Sequence, residues 1–422
     1  MEFRKLKGFR DILPEESPRW QRVEAVSRAV FSRYGYEEVR LPLLEDTALF
    51  RRSIGESTDI VEKEMYTFVD TGGHSVTLRP EGTASAVRAY LENGFHRSNP
   101  RVRWYYMGPM FRRERPQKGR LRQFHQVGAE CFGWAEPEAD AEVLFLLWDL
   151  FQALGLGGRV RLELNTLGCR DDRRAYVERL REALERHRDA LCADCRRRLS
   201  TNPLRVLDCK SDRCREATSE APRITDSVCA ECSGHFGRVC AVLEAGGVPY
   251  AVNPRMVRGL DYYNRTTFEL LAEGLGAQNA VAAGGRYDGL SEVFGGPRVP
   301  ALGFAAGVER IVLLMDPGAA GRAGPDGYWV FRGPEALERA MVLRRDLARQ
   351  GIATEIDFAA RSFKAQMRAA DRRGARFALI LAEDELAGGT VTVKDMGSGE
   401  QQGVPAERLG SFLREATSRE PS

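Results

Sequence analysis

Residues 108–133 read GPMFRRERPQKGRLRQFHQVGAECFG, and this stretch combines apolar, strongly basic and alternating segments. An apolar lead-in from Met107 to Phe111 gives way to a strongly basic segment, and residues 124–131 then alternate between two faces. Such alternation is typical of a β-strand with one buried face. The stretch therefore predicts two antiparallel strands joined by a long cationic loop, residues 113–122.

The loop sets five basic side chains against a single acid, Glu114: Arg113, Arg115, Lys118, Arg120 and Arg122. Such a loop repels itself, so we expect it to become ordered when it meets an anion. A solvated loop on an edge hairpin is the alternative. Arg112, Gln126 and Glu130 on the strands count against that alternative, because polar side chains that face an interior need a partner. An arginine at a strand end can also hold two phosphate oxygens with its planar fork.

Length and charge limit the class of protein. The 422 residues suffice for two or three domains with ample cores. A net charge of +3 is too balanced to indicate a partner, but positive charge concentrates in residues 97–122 and 364–376. The charged N-terminus lacks the apolar run of a secretory signal, and the longest apolar stretch, residues 143–151, is too short to span a bilayer. We therefore expect a soluble, cytoplasmic protein without a membrane partner.

Several blocks resemble those of one enzyme family. FRRE at 111–114, the basic loop and RQFHQ at 122–126 resemble the second signature motif of class II aminoacyl-tRNA synthetases. LRPEGT at 78–83, RGLDYYNRTTFE at 258–269 and AAGGRYDGL at 282–290 resemble blocks of histidyl-tRNA synthetases. ALGFAAGVERI at 301–311 resembles the third class II motif, and a predicted helix over 18–34 with a strand over 39–44 resembles the first.

The resemblance implies an α+β fold with a class II catalytic core, an antiparallel sheet flanked by helices, in residues 1–320. An inserted, mostly helical, Cys-rich module is expected at about residues 170–239, and a small C-terminal α/β anticodon-binding domain in residues 327–422. From the residues alone, the Pro/Gly-rich stretch 315–326 predicts a domain boundary, and alternating strands and helices follow it. The family also implies a homodimer, with the first motif at its interface.

The implied activity is ATP-dependent ligation of L-histidine to its tRNA through a histidyl-adenylate intermediate. Joining two anions needs preorganised positive charge rather than a covalent nucleophile. One alternative is a catalytically silent regulatory subunit of histidine biosynthesis on the same fold. Arg258, Arg310, the basic loop and the C-terminal domain count against it. A class II synthetase for another amino acid is a second alternative, against which RGLDYY and GGRYDGL count.

By resemblance, ATP is held with Mg²⁺ bridging its phosphate oxygens. Arg112 binds the α-phosphate, Arg258 supplies a second cation there, and Arg310 holds the γ-phosphate. These three arginines are the expected catalytic residues. Phe124 stacks on the adenine, and Glu114 helps to place it.

By the same resemblance, the α-amino group of histidine is received by Glu81, Thr83 and Gln126. The imidazole is bound by Glu130 and Tyr263, and Tyr287 closes the pocket. On position alone, the Glu81 carboxylate could instead favour the start of a helix. The loop residues expected at the tRNA acceptor end are Arg113, Arg115, Gln117, Lys118, Arg120 and Arg122.

Most of the nine cysteines lie in the insertion, where Cys192 and Cys195 form one CxxC pair and Cys229 and Cys232 form another. Two such pairs indicate a structural Zn²⁺ site with these four thiolates as ligands, and His235 is a competing ligand. The alternative is a set of reduced, partly buried thiols. By resemblance, any metal here would brace the insertion and take no part in the reaction.

Overall fold

The computed structural model describes residues 3–54, 58, 60–257, 262–275, 279–316, 324–359 and 361–418. The chain divides into two compact units, residues 1–319 and residues 320–422. Within the described residues, every helix is too short or too polar to cross a membrane.

The first unit opens with the elements that build the hairpin and its surroundings. In chain order they are α1 (Ser17–Arg33), β1 (Glu37–Glu38), β2 (Leu44–Asp46), α2 (Thr47–Ile54), β3 (Tyr66–Val69), β4 (Ser75–Leu78), α3 (Thr83–Glu92), α4 (Phe95–Ser98), β5 (Val102–Phe111), β6 (Gln123–Phe132), α5 (Pro137–Ala153) and β7 (Val160–Thr166).

A run of helices follows, and the sheet then resumes. The helices are α6 (Arg170–Glu185), α7 (Ala193–Thr201), α8 (Leu204–Leu207), α9 (Asp212–Ala217) and α10 (Ala230–Ala245). The remaining elements of the first unit are β8 (Tyr250–Val252), β9 (Asn264–Ala272), β10 (Ala280–Arg286), α11 (Leu290–Val293), β11 (Ala301–Gly307) and α12 (Val308–Leu314).

An eight-stranded sheet in the order β1-β5-β6-β11-β10-β9-β7-β8 forms the centre of this unit. Its neighbours are antiparallel except for the outer pairs β1/β5 and β7/β8. The predicted hairpin is confirmed, because β5 and β6 pair over their whole lengths, from Val102 opposite Phe132 to Phe111 opposite Gln123. With helices on the sheet, the α+β class is confirmed as well.

The helix α5 supplies much of the core on one face of the sheet. Pro137 stands in its first turn with Glu138 and Asp140, where a fixed φ and negative charge favour a helix start. Its apolar residues recur at helical spacing and are buried with side chains of α1, α10 and α12. This packing fixes the sheet from behind, so that its other face can carry the candidate site.

The predicted strand over residues 39–44 is wrong. Strand β1 ends at Glu38, and β2 begins only at Leu44, in a separate three-stranded sheet of order β2-β4-β3. Pro42 has no N–H to give to a ladder. In addition, the buried Arg79 guanidinium donates hydrogen bonds to the carbonyl oxygens of Leu41, at 2.9 Å, and Pro42, at 3.4 Å. Residues 39–43 are therefore held outside a regular strand by the Arg79 side chain and by two backbone hydrogen bonds, from the Val39 N–H to the Tyr105 carbonyl and from the Arg79 N–H to the Leu43 carbonyl.

The second unit has a five-stranded sheet of order β13-β12-β14-β15-β16, in which β12 is parallel to β13 and β14 and the other pairs are antiparallel. Its elements are β12 (Gly327–Phe331), α13 (Pro334–Arg349), β13 (Thr354–Ile356), α14 (Phe363–Arg372), β14 (Phe377–Leu381), α15 (Glu383–Gly388), β15 (Thr390–Asp395), β16 (Gln401–Pro405) and α16 (Leu409–Ser418). The predicted alternation of strands and helices is present.

Candidate active site

Glu130, in the middle of β6, is fully buried and accepts three hydroxyl groups. The hydroxyl of Thr83 donates across 2.7 Å and that of Tyr106 across 3.1 Å, both to Oε1. The hydroxyl of Tyr287 donates to Oε2. The structure thus brings together Thr83, Glu130 and Tyr287, three of the predicted site residues, and adds Tyr106 to them.

Burial dominates the ionisation of this carboxyl. Removal from water raises the pKa of Glu130 to about 8, and the neighbouring carboxyl of Glu81 adds to the rise, although the hydroxyls of Tyr287 and Thr83 oppose it. Near neutral pH, Glu130 therefore holds a proton much of the time. A cation or a hydrogen-bond donor that enters the pocket would favour the ionised form, so the site is suited to a ligand that brings positive charge or N–H groups.

Two glycines leave space for Tyr106 beside Glu130. A Cβ on Gly82 or on Gly128 would overlap the Tyr106 ring. Gly303 of β11 lies opposite Glu130 in the sheet. It leaves space for that side chain, since a Cβ on Gly303 would overlap the Glu130 carboxylate. The glycines of three separate sequence blocks therefore make room for one buried tyrosine and one buried acid.

Glu81 stands two residues before α3 and is almost fully buried. Its carboxylate accepts the backbone N–H of Thr83 at 2.6 Å and that of Ala84 at 2.9 Å, which confirms the helix-start interpretation. Burial raises the pKa of Glu81 despite these two donors. The predicted contact with an amino group stays a prediction.

Gln126 offers a different kind of signal. In the part of the chain that the structure describes, its buried Oε1 accepts no hydrogen bond. A buried amide oxygen without a donor is costly, by roughly 1–3 kcal/mol. It lies on β6 four residues before Glu130, between Gly108 of β5 and Gly307 of β11. This oxygen suits a ligand that donates a hydrogen bond.

Tyr263 is buried, and its ring centre lies 4.7 Å from that of Tyr262, which in turn lies 5.7 Å from that of Tyr287. Tyr263 therefore reaches the pocket through a chain of aromatic rings. Arg258 lies outside the described residues, so its predicted role as a second cation stays a prediction.

Several arginine side chains lie at the end of the site where the phosphates are expected. The Arg112 guanidinium lies 5.3 Å from the centre of the Phe124 ring, and its Nε donates to the Pro80 carbonyl at 2.9 Å. Arg310 donates to the carbonyls of Gly119, at 3.2 Å, and Ala280. Burial lowers the pKa of Arg310, and the positive charges of Arg120 and Arg112 lower it further. A polyanion placed among these arginines would relieve both effects.

The basic loop is held at its two ends. Arg120 pairs with Glu114 at 2.8 Å, and the backbone N–H of Arg122 donates to the Gly8 carbonyl at 2.8 Å. Glu114 is thereby oriented by the loop. The side chains that project into solvent from the loop are those of Arg113, Arg115, Gln117 and Lys118.

Sequence reasoning missed a buried ionic network that supports the pocket. The Arg286 guanidinium is fully buried and pairs with Asp140 of α5 and, at 3.0 Å, with Asp288. His235 Nε2 lies 2.9 Å from the Asp140 carboxylate. Burial alone would raise the pKa of Asp140, but His235 and Arg286 outweigh it, and that pKa lies below its usual value. The network fixes the chain on both sides of Tyr287.

One interpretation from sequence is corrected here. His235 is occupied by Asp140 and, through Nδ1, lies 3.4 Å from Arg265, so it belongs to the buried network rather than to a zinc site. A Cβ on Gly284 would overlap the Gly303 carbonyl and the Phe268 ring, so this glycine permits close packing of β10 on β11.

The predicted set of four zinc ligands is also corrected. Cys192 and Cys195 lie with Cys209 and Cys214 in one cluster, whereas Cys229 and Cys232 lie with Cys169 and Asp172 in another. The two CxxC pairs do not meet. The reason is that each pair begins a different helix, α7 or α10, and finds its neighbours on other segments of the insertion.

A hydrogen-bonded contact between His125 and Glu309 joins the second and third motifs. The Glu309 carboxylate accepts the backbone N–H of His125, at 3.0 and 2.9 Å, and its Oε1 lies 3.0 Å from His125 Nδ1. Glu309 is the residue before Arg310, so this contact sets the start of α12 against β6. The signal for it in the sequence is the acid in the first turn of a helix.

Comparisons with known proteins agree with this geometry. Residues 8–311 match the family model described as histidyl-tRNA synthetase, and residues 330–416 match the one described as anticodon binding domain. The histidine–tRNA ligase of Geobacter sulfurreducens is 55% identical over 401 residues, which cover 95% of this chain and 96% of that protein. That of Solidesulfovibrio magneticus is 50% identical over 414 residues, which cover 98% and 97%.

Among solved structures, the apo histidyl-tRNA synthetase of Staphylococcus aureus superposes with a TM-score of 0.81 at 36% identity, covering 98% of this chain and 100% of that chain. Similarity extends through the catalytic elements, the insertion and the second unit. By sequence and by fold, this chain belongs to the histidyl-tRNA synthetase family.

Proposed function

We propose that this chain is a histidine–tRNA ligase that works in two steps. The carboxylate of L-histidine attacks the α-phosphorus of ATP, which forms histidyl-adenylate and releases pyrophosphate. The terminal ribose hydroxyl of the tRNA then takes the histidyl group and releases AMP. One observation carries this proposal: a buried acid that accepts hydrogen bonds from three hydroxyl groups, Glu130, shares strand β6 with Phe124, against which the Arg112 guanidinium packs.

Glu130 and the hydroxyl groups around it select the amino acid. An imidazole presents a donor and an acceptor edge, and a buried site that pairs both rejects apolar amino acids because they leave its polar groups unsatisfied. Glu130 and Tyr263 bind the imidazole, and Tyr287 closes the pocket. The α-amino group is received by Glu81, Thr83 and the buried oxygen of Gln126, which accepts no hydrogen bond within the described residues.

Arginines stabilise the charge that develops during adenylate formation. Arg112 holds the α-phosphate with Arg258, and Arg310 holds the γ-phosphate, while Phe124 and Glu114 place the adenine. Mg²⁺ neutralises phosphate charge when bound.

The tRNA is met by both units. The basic loop, Arg113 to Arg122, contacts phosphates at the acceptor end, and the second unit, residues 327–422, reads the anticodon.

The chain acts as a homodimer. Leu43, Leu44, Phe68 and Val69 support this, since these apolar side chains are exposed on or beside the three-stranded sheet, and exposed apolar surface can mark an interface. The alternative of a silent regulatory subunit is not favoured, because full-length relatives at 50–55% identity are named as ligases.

Amino-acid-dependent exchange between ATP and pyrophosphate tests the first step. We expect exchange with histidine alone among the twenty amino acids, and a fall of about a hundredfold or more in Arg112→Ala. The control is Arg101→Ala, an exposed arginine at the other end of the hairpin. Folded, ATP-binding protein that catalyses no exchange with any amino acid would overturn the proposal.

A further inference from the structure

All nine cysteines are free thiols, and seven of them lie in the two clusters of the insertion. We propose that the cluster of Cys192, Cys195, Cys209 and Cys214 binds one structural Zn²⁺ ion through four thiolates. This site is separate from the catalytic pocket, and it does not depend on the proposed reaction.

The spacing of the sulfur atoms fits a single ion. All four Sγ atoms lie within 4.8 Å of one another. Thiolates at about 2.3 Å around a tetrahedral ion are about 3.8 Å apart, so only a small contraction is needed. A four-iron cluster binds each thiolate to a different iron and needs wider spacing. Four sulfur ligands in this arrangement favour zinc over Mg²⁺ or Ca²⁺, which prefer oxygen.

The local structure builds the site from three short segments. Cys192 precedes α7 and Cys195 lies within it, Cys209 follows α8, and Cys214 lies in α9. The backbone N–H of Cys192 already donates to the Cys214 Sγ at 3.1 Å. Cys195 and Cys214 are fully buried. The sulfur atoms therefore converge on one another and are partly screened from water.

Charge around the cluster suits the product of binding. Zn²⁺ with four thiolates carries a net charge of −2. Residues 192–216 hold seven Arg or Lys residues against four Asp or Glu residues, which offsets that charge.

The segment also needs a cross-link. The helices α8 and α9 have only four and six residues, lengths at which a helix is not stable by itself. Apolar side chains such as Leu199 and Val206 are buried in a cluster shared with α6 and the main sheet, but this packing alone does not join the four cysteine sulfur atoms. A structural zinc ion would tie α7, α8 and α9 together, as zinc does in other small domains.

The second cluster differs in its fourth member. The two carboxylate oxygens of Asp172 accept the backbone N–H groups of Cys169, at 3.1 Å, and Cys229, at 2.9 Å. Asp172 thus already joins the start of α6 to the start of α10. These hydrogen bonds account for the placement of Cys229 and Cys232 without a metal, so the proposal is confined to the first cluster.

Zinc content tests the proposal. The full chain and its Cys→Ser variants are produced in zinc-supplemented cells and analysed for metal per chain. We expect Cys214→Ser to hold one zinc ion fewer than wild type. Cys229→Ser, the same change in the other cluster, should retain the ion that depends on Cys214, as should Cys240→Ser, which lies in neither cluster. Equal zinc in wild type and Cys214→Ser, including none in both, would overturn the proposal.

Two further results keep the test decisive if a variant folds poorly. X-ray absorption at the zinc edge of the wild-type chain should show sulfur neighbours at about 2.3 Å. A first shell of nitrogen and oxygen alone would contradict the assignment. Loss of the same single ion in both Cys214→Ser and Cys229→Ser, each folded by circular dichroism, would instead indicate one site shared by both clusters and would also overturn it.

Discussion

The Thr83 hydroxyl donates to Glu130 Oε1 across 2.7 Å, which links the first turn of α3 to the middle of β6. Both groups are buried, so this contact is shielded from solvent. It joins two sequence blocks that are 47 residues apart into one pocket wall. Tyr106 and Tyr287 complete the wall by donating to the same carboxyl group.

Substitution of Gly128 tests the packing behind this wall. In Gly128→Ala the new Cβ overlaps the buried Tyr106 ring, which has little room to move. We expect overpacking to cost about 1–3 kcal/mol of stability. We also expect histidine-dependent exchange to fall at least tenfold, because the Tyr106 hydroxyl moves away from Glu130. The measurements are thermal unfolding and exchange kinetics.

Gly158→Ala is the matched control, since no heavy atom lies within 4 Å of the added Cβ. It should behave as wild type in both assays. A Gly128→Ala variant with unchanged stability and unchanged Michaelis constant for histidine would show that Tyr106 does not hold the pocket.

Ionisation of Glu130 makes folding stability depend on pH. Burial raises its pKa from 4.5 to about 8, so between these values the folded chain binds a proton that the unfolded chain has lost. Stability therefore falls as pH rises through this window, by at most about 1.4 kcal/mol per pH unit from this group. The Glu130→Gln variant cannot lose this proton, so its stability should not fall for this reason. The difference in the free energy of unfolding, variant minus wild type, should therefore increase from pH 5 to pH 8.

Urea unfolding at pH 5.5, 7 and 8.5 measures the difference. Glu136→Gln, a substitution of an exposed acid, controls for the change of charge. Parallel pH profiles for wild type and Glu130→Gln would mean that the Glu130 carboxyl is not held protonated by burial.

Removal of Asp140 should unfold the chain far more readily than removal of a surface charge. Asp140→Ala leaves Arg286 buried without its main partner, a change that typically costs about 3–5 kcal/mol. The pKa of Asp140 is lowered, so its contribution is present at neutral pH and is lost as pH falls below about 4. Chemical denaturation at pH 7 checks the first expectation.

The comparison is Arg238→Ala, which removes an exposed pair with Glu138 on the same helix α5. Exposed pairs contribute little, so no measurable change is expected. Similar losses in the two variants would argue against a supporting role for the buried network.

Removal of the exposed cations of the basic loop should weaken tRNA binding more than it slows adenylate formation. Arg115 and Lys118 project into solvent, whereas Arg120 is paired with Glu114. The double variant Arg115→Ala, Lys118→Ala should bind tRNA more weakly, with a salt dependence reduced by about one unit of slope per lost phosphate contact. Filter binding over a range of salt concentrations measures this. Equal losses in tRNA binding and in pyrophosphate exchange would contradict the division of roles.

The hairpin and the motif order could be predicted because alternation, charge and glycine placement are local properties of the sequence. The conformation of residues 39–43 could not be predicted, since Arg79 and Tyr105, which bind this segment, lie 36 or more positions away. The CxxC spacing predicted that Cys192, Cys195, Cys229 and Cys232 meet, yet the neighbours of each pair are set by how α6 to α10 fold. The Asp140–Arg286 pair spans 146 residues and leaves no local pattern. Long-range contacts between polar residues were thus the part that sequence alone did not supply.

Charging of tRNA tests the central claim most directly. The purified chain is incubated with ATP, Mg²⁺, unfractionated bacterial tRNA and each of the twenty amino acids in turn, and the charged tRNA is recovered and sequenced. The account predicts that histidine alone is attached, and only to tRNA with a histidine anticodon. Attachment of a different amino acid, or none by protein that is folded and binds ATP, would contradict it.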